Sequence, residues 1–127
     1  MKKLLLISFG IVFSFNSFAD GTYLNIFESK LNRTFKIISP SVALENNPYI
    51  IQIKINKLGS VLSIKNIPSG KNTDTEKYYI KSIFTASPYH PLAKHFPNVN
   101  NSITIEATFK PKGNKPIISG VKLLNAD

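Results

Sequence analysis

Two segments of the chain alternate between apolar and polar residues, and this pattern constrains the fold more than any other feature. In residues 49–55, Tyr49 and three isoleucines share one face, and Ile50, Gln52 and Lys54 share the other. In residues 102–109, isoleucine, alanine and phenylalanine alternate with threonine and glutamate. A period of two with many β-branched residues is typical of strands that bury one face. The sequence therefore predicts two strands with the same kind of apolar face.

The first of these strands leads into a predicted hairpin. Residues 56–59 read Asn-Lys-Leu-Gly, and Gly59 can adopt the positive φ that a tight connection often needs. A second strand is predicted over residues 60–67, before a turn at residues 68–70. A further strand over residues 117–124 is possible, although Gly120 weakens it.

Two segments show the three-and-four spacing of amphipathic helices. The first covers residues 23–35, and its apolar stripe comprises Leu24, Phe27, Leu31 and Phe35. The second begins at a capping box formed by Thr73 and Glu76, and it ends before Pro88. Its predicted inward residues are Tyr79, Ile80, Ile83, Phe84 and Ala86.

The order of elements is α-β-β-α-β, which has one favoured arrangement. The second helix crosses the sheet, and the third strand lies beside the first with a right-handed connection. The predicted fold class is α+β, a two-layer domain with both helices on one face of a small sheet. Its sheet is three-stranded, antiparallel or mixed, and ordered 2-1-3, with a possible fourth strand at the carboxyl end.

The amino-terminal residues have the organisation of a secretory signal. Lys2 and Lys3 precede an apolar run, and Ser17-Phe18-Ala19 is a small-x-small cleavage sequence. A membrane-spanning helix needs about 20 apolar residues, and this run is shorter and is interrupted by polar residues. We expect cleavage after Ala19, export to the periplasm, and no stable membrane anchor on the mature chain. The domains are then a signal peptide, 1–19, and one domain, 20–127, with residues 111–127 as a carboxyl-terminal extension.

Composition limits the chemistry of this domain. The chain has no cysteine, which excludes disulfides and thiol nucleophiles, and its formal net charge is +9. That charge favours acidic partners, but the lysines are scattered, and the aromatic residues fall on predicted core faces. Nucleic-acid binding needs exposed aromatics among basic residues, so we expect no nucleic-acid partner.

The sequence shows no arrangement typical of an enzyme. His90 and His95 are the two histidines, five residues apart in a proline-containing loop, and no third ligand lies near them in sequence. The acidic residues form no pair placed by spacing on a common face, and neither a nucleophile elbow nor a phosphate-binding loop is present. We therefore expect no catalysis, no cofactor and no metal.

Several strings in their order resemble the C-terminal domain of the TolA and TonB envelope proteins, closer to TolA. The carriers are the hairpin IQIKINKLGSVLSI at residues 51–64, Pro68-Ser69-Gly70, Ala86-Ser87-Pro88 at the helix end, and the final Ile103-Thr104-Ile105 followed by Phe109-Lys110-Pro111. The resemblance covers residues 23–111. Energy-transducing members have an N-terminal membrane helix, a long linker and often a disulfide, and this sequence predicts none of these.

The resemblance implies a soluble protein-binding module of the cell envelope that engages partners by β-strand addition, without energy transduction of its own. The expected partners are envelope proteins or peptide segments, with Tol-system, colicin-like or phage-like candidates. The alternative is a structural subunit of a secretion or conjugation assembly. The resemblance implies that the third strand is the partner-binding edge, made of Ser102, Ile103, Thr104, Ile105, Glu106, Ala107, Thr108 and Phe109.

The apolar residues that follow Pro111 raise a question about this edge. Ile117, Ile118, Val121 and Leu123 are too apolar for a solvated tail, so we expect the segment to pack on the domain. If it folds back as a hairpin it covers the third strand, which is the arrangement we favour; if it packs elsewhere, the edge stays open.

Overall fold

The computed structural model describes residues 17–67 and 74–127. Its elements, in chain order, are α1 (Ser17–Ile37), β1 (Tyr49–Asn56), β2 (Val61–Ile67), α2 (Asp74–Ala86), β3 (Ser102–Phe109) and β4 (Ile118–Ala126). The predicted signal segment lies outside the described residues except at its end, where residues 17–19 belong to the first turn of α1. The capping residue Thr73 also lies outside them. None of the helices described is long and apolar enough to cross a membrane.

The fold is α+β, with two helices and one four-stranded antiparallel sheet ordered β2-β1-β3-β4. The central position of β1 was predicted, and so was its pairing with both β2 and β3. In the register, Ile53 lies opposite Ile64 on one side and Ile105 on the other. The possible fourth strand is present and pairs with β3, which completes the sheet.

One face of the sheet is buried under the helices. In β1 the burial alternates as predicted, with Tyr49, Ile51, Ile53 and Ile55 inside. Ile103, Ile105, Ala107 and Phe109 of β3 continue this surface, and each is fully buried. These side chains and the inner residues of both helices form one hydrophobic core. The other face carries half-buried polar residues such as Gln52 and Glu106.

The inner face of α2 differs from the prediction. Tyr79, Ile83 and Ala86 are buried as expected, but the Phe84 side chain is 51% exposed and Tyr78 is buried instead. The cause is Tyr78, which stacks on Phe35 of α1 with ring centroids 5.9 Å apart and donates its hydroxyl to the Ile38 carbonyl at 2.6 Å. Because α2 turns Tyr78 toward α1, its opposite flank, with Ile80 and Phe84, turns outward. In α1 the stripe is shifted similarly, since Tyr23 is fully buried and Leu24 only partly.

The loop between α2 and β3 contributes to the core, which its proline content did not predict. Tyr89, Leu92 and Phe96 are buried. The loop is bonded to the β1–β2 turn, because the Tyr89 N–H donates to the Gly59 carbonyl at 2.7 Å and the Leu92 N–H to the Lys57 carbonyl at 3.0 Å. Gly59 has the predicted positive φ, 92°. This contact fixes the start of β2 against the end of α2.

Candidate partner-binding edges

The residues predicted to bind a partner all lie on β3, but β3 is not an edge strand. It pairs with β1 along one side and with β4 along the other. Ile103, Ile105, Ala107 and Phe109 point into the core, and Ser102 is buried too. Thr104, Glu106 and Thr108 lie half-buried on the open face of the sheet. β3 is therefore not a free edge in the folded chain, because the carboxyl-terminal segment lies along it. That residues 102–109 bind a partner stays a prediction, and it requires release of this segment.

β4 covers the edge of β3 over nearly its whole length. The register runs from Ile103 opposite Ala126 to Phe109 opposite Ile118. At one end the Lys110 N–H donates to the Ile117 carbonyl at 3.0 Å, and at the other the Asp127 N–H donates to the Ser102 carbonyl at 2.8 Å. The segment thus takes the covering arrangement that its apolar residues favour.

The β3–β4 connection is anchored to the rest of the domain. Lys112 and Lys115 exchange backbone hydrogen bonds across a tight turn, in which Gly113 has a φ of 65°. The side-chain oxygen of Asn114 accepts the Leu44 N–H at 2.7 Å, which joins the turn to the loop after α1. These contacts hold β4 in register.

β4 is nevertheless the most exposed strand of which every side chain is described. In β4 only Ile118 is buried, and Val121 and Leu123 are partly buried. Its register with β3 shifts twice, near Leu124 and near Ser119. A salt bridge 3.4 Å long joins the exposed ammonium of Lys122 to the half-buried carboxylate of Glu106 on the open face, where solvent around the lysine weakens the attraction. Releasing β4 would therefore expose less apolar surface than releasing β1 or β3.

The outer side of β2 is the second edge of the sheet. Within the described residues no strand lies beside it. Residues 63–67 pair one-to-one with residues 50–54 of β1, and the single register shift lies at Leu62. The start of β2 touches the end of α2, where the Val61 N–H lies 3.4 Å from the Ser87 hydroxyl oxygen. β2 was predicted as a strand, but its edge was not singled out for binding.

Large apolar side chains are exposed at this corner of the molecule. Leu58 in the β1–β2 turn is 74% exposed, Leu62 is 53% exposed and Phe84 is 51% exposed. Sequence reasoning missed Phe84 as a surface residue because its spacing fits the inner stripe of α2. Whether Phe84 is buried or exposed depends on the position of Tyr78, which the spacing of residues within α2 does not predict.

The two histidines come together in the loop before β3. Their ring centroids are 5.3 Å apart, and His95 also meets the edge of the Tyr23 ring at 5.4 Å. Partial burial lowers the pKa of His95 below its usual value, and the charges of His90 and Lys94 lower it further. Among the described residues no group of three or more His, Cys, Asp or Glu residues is placed to hold a metal ion.

A cleft of about 640 Å³ lies between the end of α1 and the β3–β4 turn. Its lining includes Lys36 and Lys115, but no carboxylate and no histidine; the other lining residues are Asn32, Phe35, Ser39, Pro40, Asn114 and Pro116. Two ammonium groups attract anions, but neither a carboxylate nor a histidine is present in this lining to act as a general base for the Ser39 hydroxyl.

Comparison with family models, with curated proteins and with solved structures gives no match to this chain.

Proposed function

We propose that this chain is an exported protein-binding module of the bacterial cell envelope, which engages an extended segment of a partner by β-strand addition. The observation that supports this is the construction of the sheet, in which helices cover one face and each outer strand keeps an unpaired side among the described residues. An extended peptide can use such an edge, because its backbone groups complete the hydrogen bonds of the outer strand.

The sequence supports the envelope as the place of action. The apolar run followed by Ser17-Phe18-Ala19 favours export, and the strings shared with the TolA and TonB C-terminal domains favour an envelope partner. The formal net charge of +9 includes Lys2 and Lys3 of the predicted signal, and the excess of basic residues that remains on the module favours a partner that is acidic where it meets the module.

The part of the chain that the structure describes gives no support to catalysis. The histidines lie together without a carboxylate partner in any of their observed contacts, and the cleft between α1 and the β3–β4 turn contains neither a carboxylate nor a histidine. We therefore place this protein among binding modules, not enzymes, in this proposal.

The test has two arms, export and binding. A tagged chain is expressed with its signal, and the periplasmic fraction is analysed by N-terminal sequencing, where Asp20 is the expected first residue. The purified mature chain is then used to isolate partners from a periplasmic extract at physiological salt, with an unrelated basic protein of similar charge as control.

A single envelope protein retained by the module, but not by the basic control, is the expected result. An intact chain in the membrane fraction would contradict export. Retention of a large secretion or conjugation complex would favour the alternative, a structural subunit of such an assembly. Equal retention by the control would mean that charge alone accounts for the binding.

A further inference from the structure

We propose that the outer edge of β2 and the exposed apolar side chains beside it form the docking site for an extended segment with alternating apolar and acidic residues. We call this the β2 edge site, and it comprises the backbone of residues 63–67 with the side chains of Leu58, Leu62 and Phe84. The inference rests on the proposed function, because it assigns strand addition to one edge of the sheet.

The backbone of β2 is the better of the two available templates. Its residues 63–67 continue the register with β1 without interruption, so alternate N–H and C=O groups point outward at regular spacing. β4 has two register shifts, near Ser119 and near Leu124, which disturb the spacing of its outer groups. An added strand of several residues therefore finds a regular partner at β2 but not at β4.

The apolar side chains supply a surface for the added segment. Among the side chains that the structure describes, five large hydrophobic ones are highly exposed, and three of these belong to this corner: Leu58, Leu62 and Phe84. The backbone segments that carry them are linked. Val61, next to Leu62, contacts Ser87, whose N–H donates to the Phe84 carbonyl at 3.1 Å, and the carbonyl of Gly59, next to Leu58, accepts the Tyr89 N–H at 2.7 Å. Exposed apolar residues that cluster beside an open strand are typical of a binding surface.

The charges around the site determine what the segment carries. Lys57 on the β1–β2 turn and Lys65 on β2 are both exposed, and residues 56–67 contain no acidic residue. Aspartate or glutamate between the apolar residues of a partner would lie among these lysines. Two copies paired through β2 would instead bring two sets of lysines together, so the occupant is a segment of another protein.

The probe is a short synthetic peptide, blocked at both ends, in which valine alternates with aspartate. It is added to the isotopically labelled mature chain, and amide hydrogen exchange is followed by NMR. The control peptide has lysine in place of aspartate. We expect slower exchange at alternate amides of residues 63–67, with shifts at Phe84, and much weaker effects from the lysine peptide.

Side-chain variants test the apolar part of the site. Leu62→Ser combined with Phe84→Ser should weaken peptide binding by about tenfold or more, because clustered apolar anchors carry most of the binding energy of such interfaces. Leu124→Ser is the matched control, since Leu124 is 38% exposed on β4, and it should leave the affinity unchanged. All these side chains are exposed enough that the variants are expected to fold, which the NMR spectrum checks directly.

The outcomes separate this inference from the proposed function. Protection of β4 amides in place of β2 amides would overturn the β2 edge site and leave strand addition in place. Protection of β2 amides without peptide, rising with protein concentration, would identify a second copy as the occupant and overturn the inference. Absence of protection at both edges would contradict strand addition itself.

Discussion

Asp127, which follows β4, is hydrogen-bonded to Ser102, the first residue of β3. Its backbone N–H donates to the Ser102 carbonyl at 2.8 Å, and the Ser102 hydroxyl lies 3.5 Å from its carboxylate. The Asp127 carbonyl also accepts the N–H groups of Asn100 and Asn101, each at 2.8 Å. β4 is thus tied to the residues just before β3, and any partner that uses the β3 edge must first release this end.

Removal of residues 112–127 should open β3 to strand addition. A synthetic peptide with the sequence of residues 116–127 should then bind the truncated chain, because it can restore the hydrogen bonds that β4 makes with β3. Isothermal titration measures the affinity, with a peptide of the same composition in scrambled order as control. The truncated chain should also unfold at a lower temperature than the intact one.

A truncated chain that keeps its circular dichroism spectrum but ignores the native-order peptide would show that β3 does not accept a strand. The full-length chain should bind the same peptide more weakly, because its own β4 already occupies the edge.

Substitutions on the two faces of the sheet should lower the free energy of unfolding by different amounts. Ile53 is fully buried between Ile64 and Ile105, so Ile53→Ala should lower the free energy of unfolding by about 2–5 kcal/mol. Thr104 lies half-buried on the open face, and Thr104→Ala should cost less than about 1 kcal/mol. Urea denaturation followed by circular dichroism measures both, and equal losses would be incompatible with this arrangement of the faces.

Sequence patterns predicted the elements well where the pattern was local. The alternation around Ile53 and Ile105 indicated both strands and their inner faces, because a period of two fixes which residues share a face. The pairing of β1 with β2 followed from the short turn ending at Gly59. The apolar content of residues 117–124 indicated a segment that packs on the domain. Whether it packs along the β3 edge or elsewhere could be determined only from the folded structure.

The features that sequence did not predict depend on contacts between distant elements. Tyr78 lies on the inner side of α2 because its hydroxyl donates to the Ile38 carbonyl and its ring stacks on Phe35. Phe84 is consequently on the outer side of the helix. Burial of Tyr89 in the proline-containing loop depends on the Gly59 carbonyl. The β2 edge site was missed for the same reason, since its aromatic residue was assigned to the core.

Phe84 should behave as a surface residue in stability measurements. Phe84→Ser is expected to change the free energy of unfolding by less than about 1 kcal/mol, because about half of the side chain is already in water. Ile83→Ala is the matched control one residue away; Ile83 is fully buried, and its loss should cost about 2–5 kcal/mol. A larger loss for Phe84→Ser than for Ile83→Ala would place Phe84 in the core.

Gly59 should tolerate substitution far less than Gly113. Both have positive φ values, 92° and 65°, so alanine at either position is strained by about 1–2 kcal/mol. A Cβ on Gly59 would also lie 2.0 Å from the Tyr89 carbonyl oxygen, whereas one on Gly113 meets nothing within 4 Å. Thermal unfolding should show a much larger loss for Gly59→Ala, and equal losses would contradict the contact between the turn and the loop.

His95 should make stability depend on pH below neutrality. In the folded chain its pKa lies below the usual value of 6.5, chiefly because the ring is partly buried, with His90 and Lys94 adding repulsion. The unfolded chain therefore binds more protons between the two pKa values, so the stability due to neutral His95 is complete above about pH 6.5 and is lost as the pH falls through that value. Tyr23, whose ring edge meets His95, is neutral in this range, and burial raises its pKa further above the range. His95→Gln should lose less of its free energy of unfolding than the parent chain between pH 7.5 and pH 5, as measured by urea denaturation.

Lys122→Gln, on the distant strand β4, is the control, and its free energy of unfolding should change with pH as that of the parent chain does. An equally steep loss for His95→Gln would show that His95 is not the source of the pH dependence.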